Sequence, residues 1–470
     1  LIGFQALTIV KNKRPQLRTG ALGLVDSIGQ SVANISPTLM PALNIAVVAG
    51  LAGSGSWLGF LIASIGIVFV ALNIATLSRR HTLSGSYFIY IGRTAGPLAG
   101  LIAGWLMIGA YLATAIALAL AMVLFLENLL ASLGLKALMP NSYAALCTFV
   151  AVTGWAAWRD VRLSARFGLI LEVASVVILL AITTVAVVQH GTVIDPRQLD
   201  FGQHGYSGIM TSLTFAVFSF VGFESAATLA RETRNPARNV GLAVTMSALL
   251  SGLFFVGITY FMVLVMEGDT RALADSSAPF IVMTERAGLT AAGTAMYFGA
   301  LISGLACMLA SLNAASRLLF SMARYGYLAR RLTTVHPRHR TPSVAVVLSA
   351  AVTLLGGLAT LQLGPLEAFG FAGTLATFGF LAVYFLICLA APLDQFEAGT
   401  LVVRHLLVSG GGTLIMTFVI LGSVYPVPLW PLNLLPWLFL AYLAVGAAWF
   451  YLLTKRRPDL LQAIFSDRES

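Results

Sequence analysis

Charge is what this sequence has least of. Asp, Glu, Lys and Arg make up 10% of its 470 residues, against 58% hydrophobic ones. A water-soluble fold of that length cannot cover its surface with so little charge, so the chain reads as a polytopic membrane protein. Cysteine is scarce too. Cys147, Cys307 and Cys388 lie in apolar stretches without metal-ligand spacing, which excludes a disulfide framework or zinc site and makes buried small hydrophobes the expectation. The six histidines fall in loops or at segment ends. No Ser/His/Asp or His/Glu constellation therefore stands at membrane depth, and an embedded enzyme is not expected. No repeated pore loop or ring of charge speaks for a channel. The net charge of +10 is spread between apolar segments instead of along one face, which excludes a nucleic-acid partner. Leu1–Val10 is short, and Lys11, Lys13 and Arg14 follow it instead of preceding it, so no cleavable signal peptide is expected there.

What is present is a series of long apolar runs. Hydropathy gives about twelve, with cores at Leu22–Gly50, Trp57–Leu77, Leu98–Leu126, Tyr143–Trp158, Phe167–Val188, Tyr206–Ala230, Val240–Val265, Leu289–Ser321, Val344–Ala359, Phe369–Ala391, His405–Gly422 and Leu434–Leu453. The fourth, ninth and eleventh are the weakest. With the amino end in the cytoplasm, every one of the 28 Lys and Arg residues except Lys136, Arg197, Arg271 and Arg286 falls on the cytoplasmic side. A wrong segment count would scramble that bias, so it supports the count and an orientation with both termini cytoplasmic. The Pro426–Pro431 connection reads as a short interfacial loop, and His336–Arg340 as a basic anchor against anionic lipid.

Two of the runs look broken. The sixth carries Phe218-Ser219-Phe220-Val221-Gly222-Phe223-Glu224-Ser225. Glu224 costs about 3 kcal/mol at the bilayer centre unless it faces a cavity or a partner. Gly222, between Ser219 and Ser225, is where the helix is easiest to unwind, and unwound backbone at that depth survives only in protein or along a water-filled cavity. A glycine packing face with a buried Glu is the alternative. The first run carries Asn34-Ile35-Ser36-Pro37-Thr38 at its centre. Pro37 cannot donate to the helix ladder, and Asn34, Ser36 and Thr38 offer competing hydrogen bonds; a packed proline kink is the alternative. Breaks five segments apart point to an inverted-repeat transporter with a site near the midplane. The fold expected is an all-α integral membrane protein of about twelve helices, a five-plus-five inverted repeat with discontinuous helices one and six, plus helices eleven and twelve. Its divisions are a cytoplasmic segment 1–20, repeats 21–205 and 206–393, the last two helices 394–454 and a cytoplasmic tail 455–470.

The residues also carry a resemblance. The run Phe218–Ser225, followed by Arg231-Glu232-Thr233-Arg234-Asn235-Pro236-Ala237-Arg238, resembles the sixth helix and following loop of the amino acid–polyamine–organocation superfamily. Val240-Gly241 stand where that family often has a proline. Ser84-Gly85-Ser86-Tyr87, Gly96-Pro97 with Gly104-Trp105, and Asn313-Ala314-Ala315-Ser316-Arg317 through Arg324-Tyr325-Gly326 are similar to further family motifs. The resemblance covers segments one to ten. It implies the five-plus-five fold and transport of amino acids or amines.

A zwitterion in a dry pocket needs anion donors at one end and cation acceptors at the other. The start of the second half of helix one presents free amides and the positive end of the helix dipole. The substrate carboxylate is placed there, near Ser36, Thr38 and Leu39, although Pro37 lacks one N–H. The ammonium is placed on carbonyls freed near Ala33, Asn34, Phe218 and Val221, and Ile35 and Gly222 complete the expected substrate-binding set. The hydroxyls of Ser36 and Thr38 serve equally as packing contacts. The resemblance implies an aromatic gate at Phe218, with Phe220 close by; core packing is the alternative for both. Tyr111 is a further pocket candidate.

Glu224 can be ionised against a cation or substrate, or protonated across the halves of helix six, and either suits a proton carrier. Glu172 in helix five falls near the level where related transporters hold a cation between helices one, five and eight; pairing with Arg166 is the alternative. Ser311, Asn313 and Ser316 on helix eight are candidate sodium ligands or ordinary small-residue packing. Asp26 reads as a solvated acid, with an N-cap of helix one or a pair with the arginine-rich loops as the alternative. Proton coupling or exchange is favoured over sodium, and no cofactor or metal is expected. Because Glu224 is the acid the site itself offers, neutral amino acids are preferred over polyamines and organic amines. The expected location is the plasma (inner) membrane, with the lipid bilayer as the other partner.

Overall fold

The structure is a computed structural model that describes residues 17, 19–81, 87–159, 161–199, 206–276, 279–425, 430–458 and 460. Among them the backbone is helical and forms no strand; an isolated parallel bridge joins Leu22 to Thr233. Ser84 to Ser86, most of the Pro426–Pro431 connection and most of the expected terminal segments lie outside the described residues.

In chain order the first half holds α1 (Leu24–Ile35), α2 (Ala46–Ala52), α3 (Ser56–Arg80), α4 (Tyr87–Thr94), α5 (Pro97–Ser132), α6 (Ser142–Arg159), α7 (Val161–His190) and α8 (Pro196–Leu199). The second half holds α9 (Tyr206–Phe218), α10 (Pro236–Val265), α11 (Thr270–Ala274), α12 (Pro279–Arg286), α13 (Thr290–Arg324), α14 (Ser343–Thr360), α15 (Pro365–Glu397), α16 (Val403–Val424) and α17 (Leu435–Arg456). Each of the twelve apolar runs falls on helix, and the first and sixth are each divided. Among the described residues nine helical runs are long and apolar enough to cross a bilayer, with Pro41–Arg80 taken as one run. The weak ninth and eleventh runs, as α14 and α16, are among the nine; α6 and the shorter α9 are not.

Burial ranks the helices. The apolar windows of α5 and α13 are 83% and 78% buried, against 11% for α17, so the first two form the centre and α17 lies at the edge. Small residues let the central helices approach closely, as expected where no solvent-driven term favours one apolar neighbour over another. A Cβ on Gly379 of α15 would stand 2.9 Å from the Ala110 Cβ of α5. At the edge, Trp105 of α5 stacks on Tyr442 of α17 with centroids 4.8 Å apart. The Tyr442 hydroxyl donates to the Trp105 carbonyl at 2.7 Å, and the Trp105 Nε1–H donates back to the Tyr442 carbonyl at 3.1 Å. Large apolar side chains on α7, α16 and α17 point outward, the pattern lipid requires and water forbids. The cysteine expectation needs one correction. Cys307 and Cys388 are buried but Cys147 is exposed, because α6 presents that face to the periphery.

Candidate functional site

Two interruptions meet in the middle of the bundle. At the end of α1 the Ser36 amide still donates to Val32, at 3.2 Å, but Ser36 adopts φ 55 and ψ 65, a left-handed turn. The ladder resumes with the Met40 amide on the Ser36 carbonyl at 3.0 Å. A π-helical turn over Pro41–Ile45 then leads into α2, as a proline without an N–H favours. Opposite, α9 ends at Phe218, tight turns follow, and a 3₁₀ helix runs over Ser225–Glu232. Within the turns Gly222 sits at φ +100, and a Cβ on it would stand 2.6 Å from both the Asn34 carbonyl oxygen and its Nδ2. Only a glycine lets the two breaks touch there. Contacts on either side hold the pair together. The Ser225 hydroxyl donates to the Gln30 carbonyl at 3.2 Å, the Ala226 amide to the Ser31 hydroxyl at 3.1 Å, and the Asn44 amide side chain to the Ser219 hydroxyl at 2.9 Å.

Glu224 is fully buried in a cage of donors. The Tyr111 hydroxyl of α5 donates to its Oε1 at 2.7 Å, and the Tyr384 hydroxyl of α15 to its Oε2 at 2.6 Å. The Gly222 amide donates to Oε2 at 3.2 Å, and the Tyr87 hydroxyl donates to the Glu224 carbonyl. Both carboxylate oxygens are thus satisfied by neutral groups from three elements, which lowers the penalty of burying them without a cation. Tyr111, a candidate by sequence, meets Glu224 directly. Neither Tyr87 nor Tyr384 is a site candidate by sequence: Tyr87 closes the Ser84–Tyr87 motif, which carries no assigned role, and Tyr384 is a lone tyrosine in an apolar helix with no spacing to mark it.

Glu172 of α7 is equally buried and lies at the other interruption. The Ser303 hydroxyl of α13 stands 2.8 Å from both of its carboxylate oxygens, and the Thr38 backbone is its other polar partner. Ser303 is in turn 2.7 Å from the Ser36 hydroxyl. With its single proton directed at the carboxylate, Ser303 accepts from Ser36, so a relay runs from helix one to Glu172. One helical turn along α13 the Cys307 thiol donates to the Asn34 carbonyl at 3.0 Å, and one further turn along the Ser311 hydroxyl donates to Asn34 Oδ1 at 2.6 Å. Ser303, Cys307 and Ser311, spaced four residues apart, form a stripe that faces the break in α1. That spacing is the signal the sequence holds for Ser303 and Cys307. Among the described residues, the buried Asn34 Nδ2 and Thr38 hydroxyl at the break have no hydrogen-bond partner.

Other sequence candidates are distributed differently. Phe218 packs on Phe369 of α15, centroids 6.0 Å apart, and closes against Gly373. Phe220 turns away and meets Phe255 of α10 edge-on at 5.0 Å, inside an aromatic core with Phe60. Ala33 packs against Ala306 and Ala310 of α13, and Leu39 against Gly304; Ile35 and Val221 are buried apolar residues. Asn313 does not join Glu172. It lies ten residues beyond Ser303, about 15 Å along a helix, and accepts from Arg317 through its carbonyl and its Oδ1. Ser316 donates to its own helix. Asp26, expected in solvent, is buried, because it accepts from the Gly23 amide at 2.9 Å and from Arg166 Nε at 2.8 Å. Arg166 therefore pairs with Asp26.

One end of the bundle is closed by polar contacts between α1, the 3₁₀ helix and α13. Leu22 pairs with the backbone of Glu232 and Arg234, both bonds at 2.8 Å. The Glu232 carboxylate accepts from Arg317 Nε at 2.6 Å with the two side chains 1% and 2% exposed. Among the described residues, Arg317 Nη2 and Glu232 Oε1 have no further hydrogen-bond partner.

Known proteins resemble this chain in sequence. The family described as amino acid permease matches residues 26–452. The low-affinity putrescine importer PlaP of Escherichia coli (strain K12) is 30% identical over 380 residues, covering 76% of this chain and 80% of its own. The branched-chain amino acid permease BcaP of Bacillus subtilis (strain 168) is 26% identical over 341 residues, covering 68% and 72%. A methylthioribose transporter of the same Bacillus subtilis strain is 25% identical over 344 residues, covering 71% and 73%. These are transporters and not enzymes. With interrupted helices, buried acids and a family match along nearly its whole length, the chain belongs to the amino acid permease family of the amino acid–polyamine–organocation superfamily.

Proposed function

We propose that this chain is a secondary active transporter that moves small amino acids or amines across the plasma (inner) membrane by alternating access. The observation that carries the reading is the contact between the two helix breaks at Asn34 and Gly222, beside a buried amide and hydroxyl that lack partners. Those two groups are suited to the polar ends of a small solute, and unwound backbone supplies dipoles of both signs. The twelve helical runs are read as twelve crossings with both termini cytoplasmic, which places the closed, arginine-rich end on the cytoplasmic side. Repeats 21–205 and 206–393 are supported by packing. α5 packs on α15 and α13 packs on α7, and a shift of five segments maps the first pair onto the second. Helices eleven and twelve lie outside the repeat.

Coupling to protons, or exchange, is favoured over sodium because Asn313 and Ser316 stand apart from Glu172. Amino acid transport agrees with the permease family, and a polyamine or organic amine as substrate is the second reading. Glu172 favours the second, because it places an acid beside Ser36 and Thr38 in addition to Glu224. Counterflow in proteoliposomes of the full chain tests the function. Labelled alanine, arginine and 1,4-diaminobutane are offered in turn, and saturable exchange of at least one is expected. Absence of saturable exchange for every amino acid and amine would reject transport of this class.

A further inference from the structure

We propose that the cleft between α3, α15 and α16, at the arginine-rich end of the bundle, binds the phosphate of an anionic phospholipid. Such a site needs only that these apolar helices span a bilayer, and no step of transport enters it. The cleft is a cavity of about 300 Å³, at the lower end of the range for ligand sites. Arg79, next to last in α3, lines it together with Arg404 and His405 from the first turn of α16. Among the described residues no acid lines it, and neither Arg79 nor Arg404 enters an ion pair. The acid next to it in sequence, Asp394 before the lining Gln395, is already taken. Arg80 Nη1 and His81 Nε2 hold its two oxygens at 2.7 and 2.8 Å. Two arginines left on one cleft repel each other, and an anion between them removes that cost.

The backbone adds to the same field. The N-cap of α16 is Val402, whose side chain offers no acceptor to the first-turn amides, so the positive end of the helix dipole lies open beside Arg404. His405 Nδ1 turns back to the Val402 amide at 3.4 Å, which leaves its Nε2 unpartnered among the described residues. The walls are held at a fixed width, because the Ser409 hydroxyl of α16 donates to Asn73 Oδ1 of α3 at 2.7 Å.

The shape of the cleft selects an amphiphile over a free anion. Leu72 lines it seven residues before Arg79, about 10 Å along the helix, and Val408 lines it one turn beyond Arg404. On the flank of α16, Leu406 and Leu407 are 51% and 69% exposed. Side chains of that kind belong among acyl chains, so Arg404 stands where hydrocarbon gives way to phosphate. A second cleft, between α3 and α10, shares Leu72, Ala75 and Arg79 and adds Arg238. Arg79 is therefore a basic head with an apolar groove on either side. A phosphate carried on hydrocarbon chains fills both parts of this surface, whereas a soluble anion leaves the apolar part bare.

The test uses the purified full chain in neutral detergent. It is melted with phosphatidylglycerol, phosphatidylcholine or inorganic phosphate, and the lipid it retains is measured by native mass spectrometry. Wild type is expected to be stabilised by phosphatidylglycerol and to hold it at least about tenfold more tightly than phosphatidylcholine, with no effect of inorganic phosphate. The double variant Arg79→Gln/Arg404→Gln is expected to lose that preference. Arg330→Gln/Arg331→Gln removes the same charge from the 3₁₀ turn Arg330–Thr333 and is expected to keep it. Arg79 and Arg404 are exposed, so their double variant is expected to melt as wild type does without lipid. Should it not fold, the wild-type series with the Arg330→Gln/Arg331→Gln variant decides. Equal retention of the two lipids overturns the proposal, because charge then plays no part. Equal losses in the two double variants also overturn it, since basic charge anywhere at that end would suffice. Stabilisation by inorganic phosphate to the same extent overturns it as well, and makes the cleft a site for soluble anions.

Discussion

Gly222 and Asn34 touch across two interrupted helices, the glycine at φ +100 and the space for a Cβ filled by the Asn34 carbonyl and amide. The contact fixes the two unwound stretches at one depth, so that carbonyls and amides from both helices face the same small volume.

Gly222→Ala is expected to destabilise the protein and abolish uptake. The left-handed backbone alone costs about 1–2 kcal/mol for a residue with a Cβ, and the overlap with Asn34 adds to it. Gly288 has φ +67 but nothing within 4 Å of the place a Cβ would occupy, so Gly288→Ala isolates the backbone term. A thermal melt of both variants in detergent checks this; equal losses would show that the contact with Asn34 contributes nothing.

Removing one hydroxyl from the cage tests Glu224. Tyr384→Phe and Tyr111→Phe each leave a buried carboxylate oxygen short of a donor, a loss of about 1–3 kcal/mol. Uptake is expected to fall at least tenfold in each, and the double variant to lose less than the sum because both act on one carboxylate. Glu224→Gln turns an acceptor toward donors and is expected to stop or uncouple transport while the protein still reaches the membrane. Wild-type counterflow by that variant would remove Glu224 from the mechanism.

The two ion pairs at the arginine-rich end are expected to differ in strength. Arg317→Ala strands the Glu232 carboxylate in the interior and is expected to cost about 3–5 kcal/mol. Arg166 is 54% exposed, so Arg166→Ala at its pair with Asp26 is expected to lose less than about 1 kcal/mol. Chemical denaturation of both variants in the same detergent gives the comparison, and an equal effect would contradict the difference in burial.

Glu172→Gln is expected to flatten the dependence of uptake on external pH, because it removes a titratable acid that a serine relay connects to helix one. Initial rates across a pH series check this, and an unchanged profile would give Glu172 a purely structural role.

Much of this is legible in the residue order. Pro37 and Gly222 mark both interruptions because each removes something a helix needs, an N–H or a restricted backbone. Glu224 and Glu172 stand out because an acid in an apolar run has few explanations. What stays hidden depends on rotation about helix axes. Phe218 and Phe220 are two residues apart, and one packs on α15 while the other joins an aromatic core on α10. Ser311 and Asn313 diverge in the same way, toward Asn34 and toward Arg317. The Tyr384 hydroxyl reaches Glu224 from a helix 160 residues away, a distance over which sequence spacing says nothing. Nor does the residue order alone show that Glu172 of helix five reaches Ser36 at the break in helix one through Ser303.

The Glu232–Arg317 pair has a consequence for how the closed end gives way. Pulled apart in a dry interior, the pair leaves two bare ions; pulled apart after water has entered, it leaves two hydrated ones. Resistance is therefore greatest at the first crack and collapses once a few solvent molecules slip in. In a transporter working by the alternating access proposed above, such a latch would snap between shut and open and linger little in between, which would limit the time a continuous leak of ions has to form.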